Sequence, residues 1–358
     1  MKNLMIKKNS CCFSWFFIIL HTRLKKGPGM IITQQVYKNR PTRAEINIAN
    51  LKNNFEIVKS KVGPNVKIMA CVKANGYGHG IVRVSKELLD AGAHYLGVAY
   101  LEEAVFLRNN GVDAPILVMG AINSEQVSEF IEHDIEITSS SIDKSKAISK
   151  AAETMGKTAK VHLKFDTGME RIGVHWYNAE KFISETLKLP SISIKGIFSH
   201  LAKSESDKNF TETQISRFNE IISIYKKYAE LPELIHLANS GGVLNHPSSY
   251  FTMVRPGIML YGYNPNGYDP NVQFNGRQLK PVMTLKTKVS YFKVCPKDAG
   301  ISYNHSYVTD KQTRLITLPI GYGDGYSRLL SNKGIIGVRG RQYTISGTIC
   351  NYGQTRVS

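Results

Sequence analysis

The sequence predicts an α/β protein, a (β/α)8 TIM barrel followed by a mostly-β C-terminal region. Three observations support this fold class. Short apolar runs alternate with helical patterns from residue 44 to about residue 261. After residue 278, apolar and polar residues alternate with period two, and no helical pattern interrupts them. At 358 residues, the chain is long enough for one large barrel and a second domain.

The first predicted element is an amphipathic helix over residues 44–62. Eight apolar runs of strand length then follow, and the first seven each precede a helical pattern or a gap of helix length. The runs cover residues 66–73, 94–99, 115–120, 134–138, 160–166, 193–200, 234–239 and 252–261. Eight strands with intervening helices are what a TIM barrel requires. We therefore predict a barrel domain over residues 30–277 and a partial β-domain over residues 278–358.

Residues 1–29 are predicted to be an N-terminal extension outside the fold. The run CCFSWFFIIL, residues 11–20, follows three lysines but is too short to cross a bilayer as a helix. No small-residue cleavage site follows it. We interpret Met30 as the natural start. A membrane anchor or signal, and an extension of unknown purpose, are the alternatives.

The formal net charge of +18 raises the question of a nucleic-acid partner. Six basic residues lie in residues 1–30, which contain no acidic residue. The others are spread without a basic stripe, which favours a solvated basic surface, and we predict neither a nucleic-acid nor a membrane partner. The five cysteines are scattered, without the spacing of a metal site. They favour a reducing, cytoplasmic location and no metal.

Lys73 ends the apolar run IMACV, which is typical of a buried parallel strand. Burying an ammonium without a partner is costly, so this position needs an explanation. The loop ANGYGHG follows directly and is suited to close backbone approach by a ligand. In an arbitrary sequence, the more common explanation is a strand-end lysine whose ammonium reaches solvent.

In a barrel, functional side chains collect at the C-terminal ends of the strands. The residues at these positions are Lys73, Tyr77, Lys164, Asp166, Arg171, His200, Asn239, Ser240, Arg255, Gly257 and Ile258. Cations, hydroxyls and glycine-rich backbone suit a phosphorylated cofactor with an aldehyde that a lysine can capture, and pyridoxal 5′-phosphate (PLP) is the obvious candidate. Taken singly, each has a structural explanation, such as a core histidine at His200 or His236 and a helix cap in NSGG.

The motif VKANGYGHG resembles the cofactor-lysine signature of the alanine racemases, PLP enzymes built from a barrel and a β-domain. The motifs HLKFDTGMERIGV, SHLAKSE, HLANSGG, VRPGIMLYG, GISYNHSY and LPIGYGDGY support the resemblance in order, from about residue 40 to residue 350. The resemblance implies interconversion of L-alanine and D-alanine, supply of D-alanine for peptidoglycan, and a homodimer with shared active sites.

The resemblance also implies residue roles. Lys73 would carry PLP as an imine and act as one acid/base group, and Tyr303 of the partner subunit would act on the opposite face of the substrate. The implied cofactor contacts are Tyr77, Ser240, Gly257 and Ile258 at the phosphate, Arg255 at the pyridine nitrogen, and His200 and Asn239 beside them. The implied substrate contacts are Arg171, Lys164 (carbamylated in some relatives), Tyr322, Cys350 and Asn351.

The chain departs from the family pattern after Cys350. The family continues with Met and then Asp or Asn, whereas this chain reads Asn351-Tyr352-Gly353. We expect a truncated β-domain, from a reading-frame slip or a fragment, with weak dimerisation and little turnover. Two alternatives stay open: a PLP-binding barrel without activity, and a racemase of serine or of a broader range of amino acids. Tyr303 and Tyr322 favour an enzyme, because barrel-only proteins lack this region.

Overall fold

The computed structural model describes residues 40–267, 273 and 276–351, and the backbone of Leu4–Met5 and Thr355–Val357. Residue contacts divide the chain into one compact unit over Ile48–Val282 and a second unit made of the segments on either side of it. Two N-terminal strands, β1 (Leu4–Met5) and β2 (Arg43–Ile46), belong to the second unit. Met30 and the remainder of the predicted extension, residues 1–29, lie outside the described residues.

The first unit is a closed parallel barrel. Its strands are β3 (Lys67–Cys71), β4 (Tyr95–Val98), β5 (Ile116–Val118), β6 (Glu136–Ser139), β7 (Ala159–Asp166), β9 (Ile192–Phe198), β10 (Leu234–His236) and β11 (Met253–Val254), and β8 (Val174–His175) lies beside β7. Neighbours follow chain order, β11 pairs with β3, and β6 pairs with β7, so no edge stays open in the ring. Each predicted apolar run overlaps one of these eight strands, and the predicted barrel is confirmed.

Helices connect the strands on the outside of the ring. They are α1 (Ile48–Val62), α2 (Ile81–Asp90), α3 (Leu101–Asn109), α4 (Val127–Glu132), α5 (Ile142–Thr154), α6 (Ala179–Thr186), α7 (Lys208–Tyr225) and α8 (Ser240–Asn245). Their apolar stripes are buried, as at Leu51, Phe55 and Val58 of α1. Three begin with a side-chain cap, and one of these, Asn239, accepts the Gly242 N–H at the start of α8 (2.9 Å).

The predicted first helix, residues 44–62, is wrong at its start. Helix α1 begins at Ile48, and Arg43–Ile46 form strand β2, which pairs antiparallel with residues 283–286. The physical reason is that this backbone finds its hydrogen-bond partners across a sheet, and Glu45 there forms an ion pair with Lys286 (2.5 Å). By contacts, residues 40–47 therefore group with the second unit, whereas the predicted barrel domain began at residue 30.

The second unit is mostly β, as predicted. Its further strands are β12 (Met283–Thr287), β13 (Tyr291–Cys295), β14 (Gly300–Ile301), β15 (Tyr307–Val308), β16 (Thr313–Leu318), β17 (Ile335–Val338), β18 (Arg341–Ser346) and β19 (Thr355–Val357). One sheet has the order β13-β16-β19-β18-β17-β1-β12-β2, and β14 pairs with β15. Apolar side chains from Leu318, Ile336 and Ile345 form the centre of its core.

Among the described residues, no helix has the length and apolar character that a membrane span needs.

Candidate active site

The backbone after β3 makes an unusual turn that presents Lys73. The four residues Ala74–Tyr77 all have φ between 53° and 62°, which is the left-handed region. This conformation costs a residue with a side chain about 1–2 kcal/mol, so it needs support from its surroundings. Asn75 supplies some of it, because its side chain accepts the Ile81 N–H (2.9 Å) and its own N–H donates to Glu103 (3.1 Å). Lys73 is left partly exposed at the C-terminal end of β3.

The turn places Tyr77 against the loop that follows β11. A Cβ atom at Gly257 would lie 2.5 Å from the Tyr77 hydroxyl, so any side chain at position 257 would displace this hydroxyl. The Gly257 N–H donates to the hydroxyl of Ser240 (2.9 Å), the first residue of α8. The structure thus brings together three of the residues predicted to hold a phosphate, two hydroxyls and a backbone N–H group. Ile258 is the next residue along the same loop.

Arg255, which follows β11, is buried and makes hydrogen bonds on several sides. Its guanidinium donates to the backbone carbonyls of Ser199 (2.6 Å) and Leu237 (3.2 Å) and to Nδ1 of His236 (2.9 Å). Burial lowers the pKa of Arg255 to about 10, so the side chain remains a cation at neutral pH. The guanidinium is therefore a fixed positive charge in the interior of the barrel.

His200 follows β9 and lies among the predicted cations. Burial, and after it the positive charges of Arg255, Lys164, Arg171 and Lys73, hold the pKa of His200 well below its ordinary value. The imidazole is therefore neutral, and its Nδ1 accepts from Arg255 (3.4 Å). Arg255 is thus the predicted cation that contacts His200 directly.

Lys164 and Arg171 come from β7 and the turn that follows it. Burial, followed by the charge of Arg255, lowers the pKa of Lys164 well below its ordinary value, and its amine donates to the Phe165 carbonyl (3.0 Å). Asp166 accepts backbone N–H groups including that of Arg171 (3.2 Å). Burial alone would raise the pKa of Asp166, but these N–H groups lower it below its ordinary value. Asp166 is thus an anion that orders the turn bearing Arg171.

The remaining predicted residues lie together in the second unit. Tyr303, Tyr322, Cys350 and Asn351 line one pocket with Arg328, Thr348 and Ile349. The backbone N–H of Tyr322 donates to the Cys350 carbonyl (3.0 Å), and a Cβ at Gly321 would lie 2.0 Å from the same oxygen. Tyr303 is 71% exposed and lies between Ser302 and Asn304, which both have positive φ. The pocket therefore presents a phenol to the outside of this unit.

Sequence reasoning missed the partners of Arg255. His236 was interpreted as a core histidine at most, and neither Glu136 nor His162 was considered. In the structure, His162 lies between Glu136 (2.7 Å) and His236 (2.9 Å) inside the barrel. The signal that could have found them is the pattern of β7, where His162, Lys164 and Asp166 alternate with apolar residues and thus share one face.

Two family descriptions match the chain: "Alanine racemase, N-terminal domain" over residues 46–265 and "Alanine racemase, C-terminal domain" over residues 282–352. The chain is 42% identical over 313 residues to alanine racemase 2 of Caldanaerobacter subterraneus subsp. tengcongensis, which covers 87% of this chain and 80% of that protein.

Solved structures agree with this match. The alanine racemase of Clostridium difficile 630 matches with a TM-score of 0.82 and 33% identity, over 88% of this chain and 82% of that one. The alanine racemase from Bartonella henselae with covalently bound pyridoxal phosphate matches with a TM-score of 0.79 and 28% identity, over 88% of this chain and 85% of that one. The two family matches cover the barrel and the β-unit, and the chain belongs to the alanine racemase family.

Proposed function

We propose that this alanine racemase interconverts L-alanine and D-alanine at the barrel rim that carries Lys73. The observation that carries the proposal is the meeting of the Tyr77 hydroxyl, the Ser240 hydroxyl and the Gly257 N–H beside the strand end that carries Lys73. These donors suit a phosphate, and the buried guanidinium of Arg255 adds a fixed positive charge for a ligand with several negative charges, such as a phosphorylated cofactor together with an amino-acid carboxylate. The product would supply D-alanine for peptidoglycan.

The donor set fits PLP, the cofactor of this family. Tyr77, Ser240, Gly257 and Ile258 would hold its phosphate, with Asn239 fixing the start of α8. The missing side chain at Gly257 leaves the backbone open beside the Tyr77 hydroxyl, as close approach by a phosphate requires. When bound, PLP supplies an electron sink that makes the α-proton of alanine acidic.

Arg255 would face the pyridine nitrogen. A guanidinium has donors and no acceptor, so it cannot receive a proton, and it discourages protonation of the nitrogen that it faces. This weakens the electron sink, which favours prompt return of the proton to the α-carbon over transamination. His200, held neutral beside Arg255, would lie next to the ring.

Racemisation needs one group to remove the α-proton and another to deliver a proton to the opposite face. We assign these roles to Lys73 and Tyr303. We propose that Tyr303 comes from a second copy of the chain, so that a homodimer shares its active sites. The exposed phenol of Tyr303 supports this proposal.

Arg171, supported by Lys164, would bind the substrate carboxylate. Tyr322, Cys350 and Asn351, which line the same pocket as Tyr303, would limit the side chain of the substrate to a small group such as a methyl. We also propose residues 30–277 and 278–358 as the two functional halves, and a cytoplasmic location. The free thiols of Cys71, Cys295 and Cys350 support a reducing compartment.

The test is a visible absorbance spectrum of the full chain with added PLP, before and after borohydride reduction, followed by peptide mapping. We expect an imine band that reduction fixes on the peptide bearing Lys73, and no such band in Lys73→Ala. We expect this variant to lose at least about 100-fold in kcat for D-alanine formation, because an acid/base group contributes about 100- to 10,000-fold. Lys67→Ala, which removes an exposed lysine on the same strand, is the matched control.

Three other outcomes would contradict parts of the proposal. A fixed cofactor in Lys73→Ala would contradict the assignment of the lysine. An imine band without D-alanine formation would favour a PLP-binding barrel. Faster turnover of serine than of alanine would favour a different racemase.

A further inference from the structure

Four polar side chains form a line through the apolar interior of the barrel. Glu136 is the first residue of β6, His162 lies within β7, His236 ends β10, and Arg255 follows β11. The line therefore runs from the N-terminal end of the barrel to its C-terminal rim. All four residues are buried, with at most 4% of each exposed. Buried polar groups are kept when hydrogen bonds satisfy them.

The hydrogen bonds of this line admit one assignment of protons. Arg255 can only donate, so Nδ1 of His236 accepts (2.9 Å), and the proton of this neutral ring is on Nε2. Nε2–H of His236 then donates to Nδ1 of His162 (2.9 Å), which places the proton of His162 on its own Nε2. That group donates to the Glu136 carboxylate (2.7 Å). Every bond is made, and each points from the cation to the anion.

The line connects a buried cation, Arg255, to a buried carboxylate, Glu136. No carboxylate among the described residues makes a hydrogen bond directly to Arg255, whose partners are histidine nitrogens and backbone carbonyls. A buried cation is costly without an anion. Glu136 is a buried carboxylate, and two polarised imidazoles connect it to the guanidinium. Burial, and then Arg255, also lower the pKa of His236 well below its ordinary value, in agreement with a neutral ring.

The packing around the two imidazoles keeps them in place. A Cβ atom at Gly196 of β9 would lie 2.6 Å from Nδ1 of His162 and 2.6 Å from the carbonyl oxygen of Leu234 in β10, so glycine provides the space for this ring and for the close approach of the two strands. The ring of Phe198 stacks on His236 with centroids 4.8 Å apart and an angle of 4° between the planes. Because these contacts restrict the rotation of the two rings, the directions of their hydrogen bonds are fixed.

We infer that Glu136 is a positioning residue, which acts through His162 and His236 to hold the guanidinium of Arg255 in a fixed orientation. The inference rests on the proposed role of Arg255 at the cofactor, and it extends that role to the opposite end of the barrel. Neither Glu136 nor His162 is required to touch cofactor or substrate.

The first test needs no activity. In full-length protein without cofactor, labelled with 15N at histidine, we expect His162 and His236 to be neutral Nε2–H tautomers at neutral pH, with His236→Asn used for assignment. An Nδ1–H tautomer or an imidazolium at either residue would overturn the inference. If both tautomers are as expected but the protein forms no D-alanine, the result would support the hydrogen-bonded line and overturn the proposed function.

The second test removes the charge or moves a ring. Glu136→Gln keeps an acceptor for His162 without the charge. Gly196→Ala displaces His162, and with it the Leu234 carbonyl of the neighbouring strand, without changing any charge. We expect each variant to lose about 10- to 100-fold in kcat with little change in KM for alanine, the usual size for a residue that orients another. Glu233→Gln, at an exposed carboxylate paired with Lys67, should keep wild-type kcat. A lower melting temperature with unchanged kcat in both variants would show a structural role and overturn the inference. If Glu136→Gln does not fold, Gly196→Ala and the tautomers of the wild-type protein decide.

Discussion

Tyr77 and Gly257 fit together because Gly257 has no side chain. A methyl group there would lie 2.5 Å from the Tyr77 oxygen and 3.3 Å from Cζ, well inside contact distance. We expect Gly257→Ala to push the hydroxyl away from the proposed phosphate site and to raise the Kd for PLP about 10- to 100-fold. This is the size expected for loss of a hydrogen bond to a charged group. Titration of the full-length protein with PLP, followed by absorbance, measures it.

Tyr77→Phe provides the matched control for this prediction. It removes the same hydroxyl without adding bulk, so its Kd should rise by a similar factor. If the hydroxyl is the group displaced in Gly257→Ala, the double variant should bind PLP about as well as either single variant, because the two changes remove one interaction. Independent, multiplying losses would contradict this account of Gly257.

At the level of elements, the eight strands could be predicted because each is a short apolar run between helical patterns. The start of α1 could not, since residues 43–46 form a strand only through pairing with residues 283–286, far along the chain. The left-handed turn at Ala74–Tyr77 also depends on its surroundings, including Glu103 on α3. Its glycines indicated a special backbone, but neither composition nor spacing specifies which one.

The site shows the same division. The position of Lys73, His200 and Arg255 at one rim could be predicted, because strand ends in a barrel face one rim. The partners of Arg255 could not be assigned. His162 and His236 lie on different strands, and the sequence does not show which residues of these strands lie at the same height in the barrel. The alternation in β7 indicates that His162 shares a face with Lys164, and only the register shows which residue it meets.

The buried histidines of the barrel strands and loops make the stability of the protein depend on pH. Burial lowers the pKa of His79, His200 and His236, so below a pH of about 6.5 the unfolded chain binds protons that the folded chain does not. The free energy of unfolding should therefore fall as the pH falls from 7 to 5, by up to about 1.4 kcal/mol per pH unit for each such histidine. Urea unfolding at several pH values measures this slope.

Two comparisons isolate the histidines in this measurement. The pKa values of Glu87 and Asp207 are lowered from 4.5 and 3.8, so these carboxylates change the free energy of unfolding mainly below those pH values, outside this window. His236→Asn should reduce the slope, because it removes one of the buried rings whose pKa is lowered. A stability that stays flat or rises on acidification would contradict neutral burial of these rings.

At the scale of the whole molecule, the predicted residues divide between two units of one chain. Lys73, the proposed cofactor lysine, and Arg255 belong to the barrel unit, and Tyr303 and Tyr322 belong to the β-unit. A two-base reaction needs both sets at one α-carbon. A two-fold dimer meets this need when each β-unit completes the site on its partner's barrel, because both sites then form by the same contact.

This arrangement predicts complementation between two inactive variants. Lys73→Ala and Tyr303→Phe should each racemise alanine at least about 100-fold more slowly than the wild type. When the two are mixed and allowed to exchange subunits, each mixed dimer has one site with both defects and one intact site. Random exchange should restore about a quarter of wild-type activity, because about half of the dimers are mixed and each has one of two sites intact. If Lys73 and Tyr303 of the same chain formed a site, every site in the mixture would lack one group and no activity would return. A mixture that exchanges subunits, as shown by mass spectrometry with one isotope-labelled variant, but stays inactive would therefore contradict shared sites.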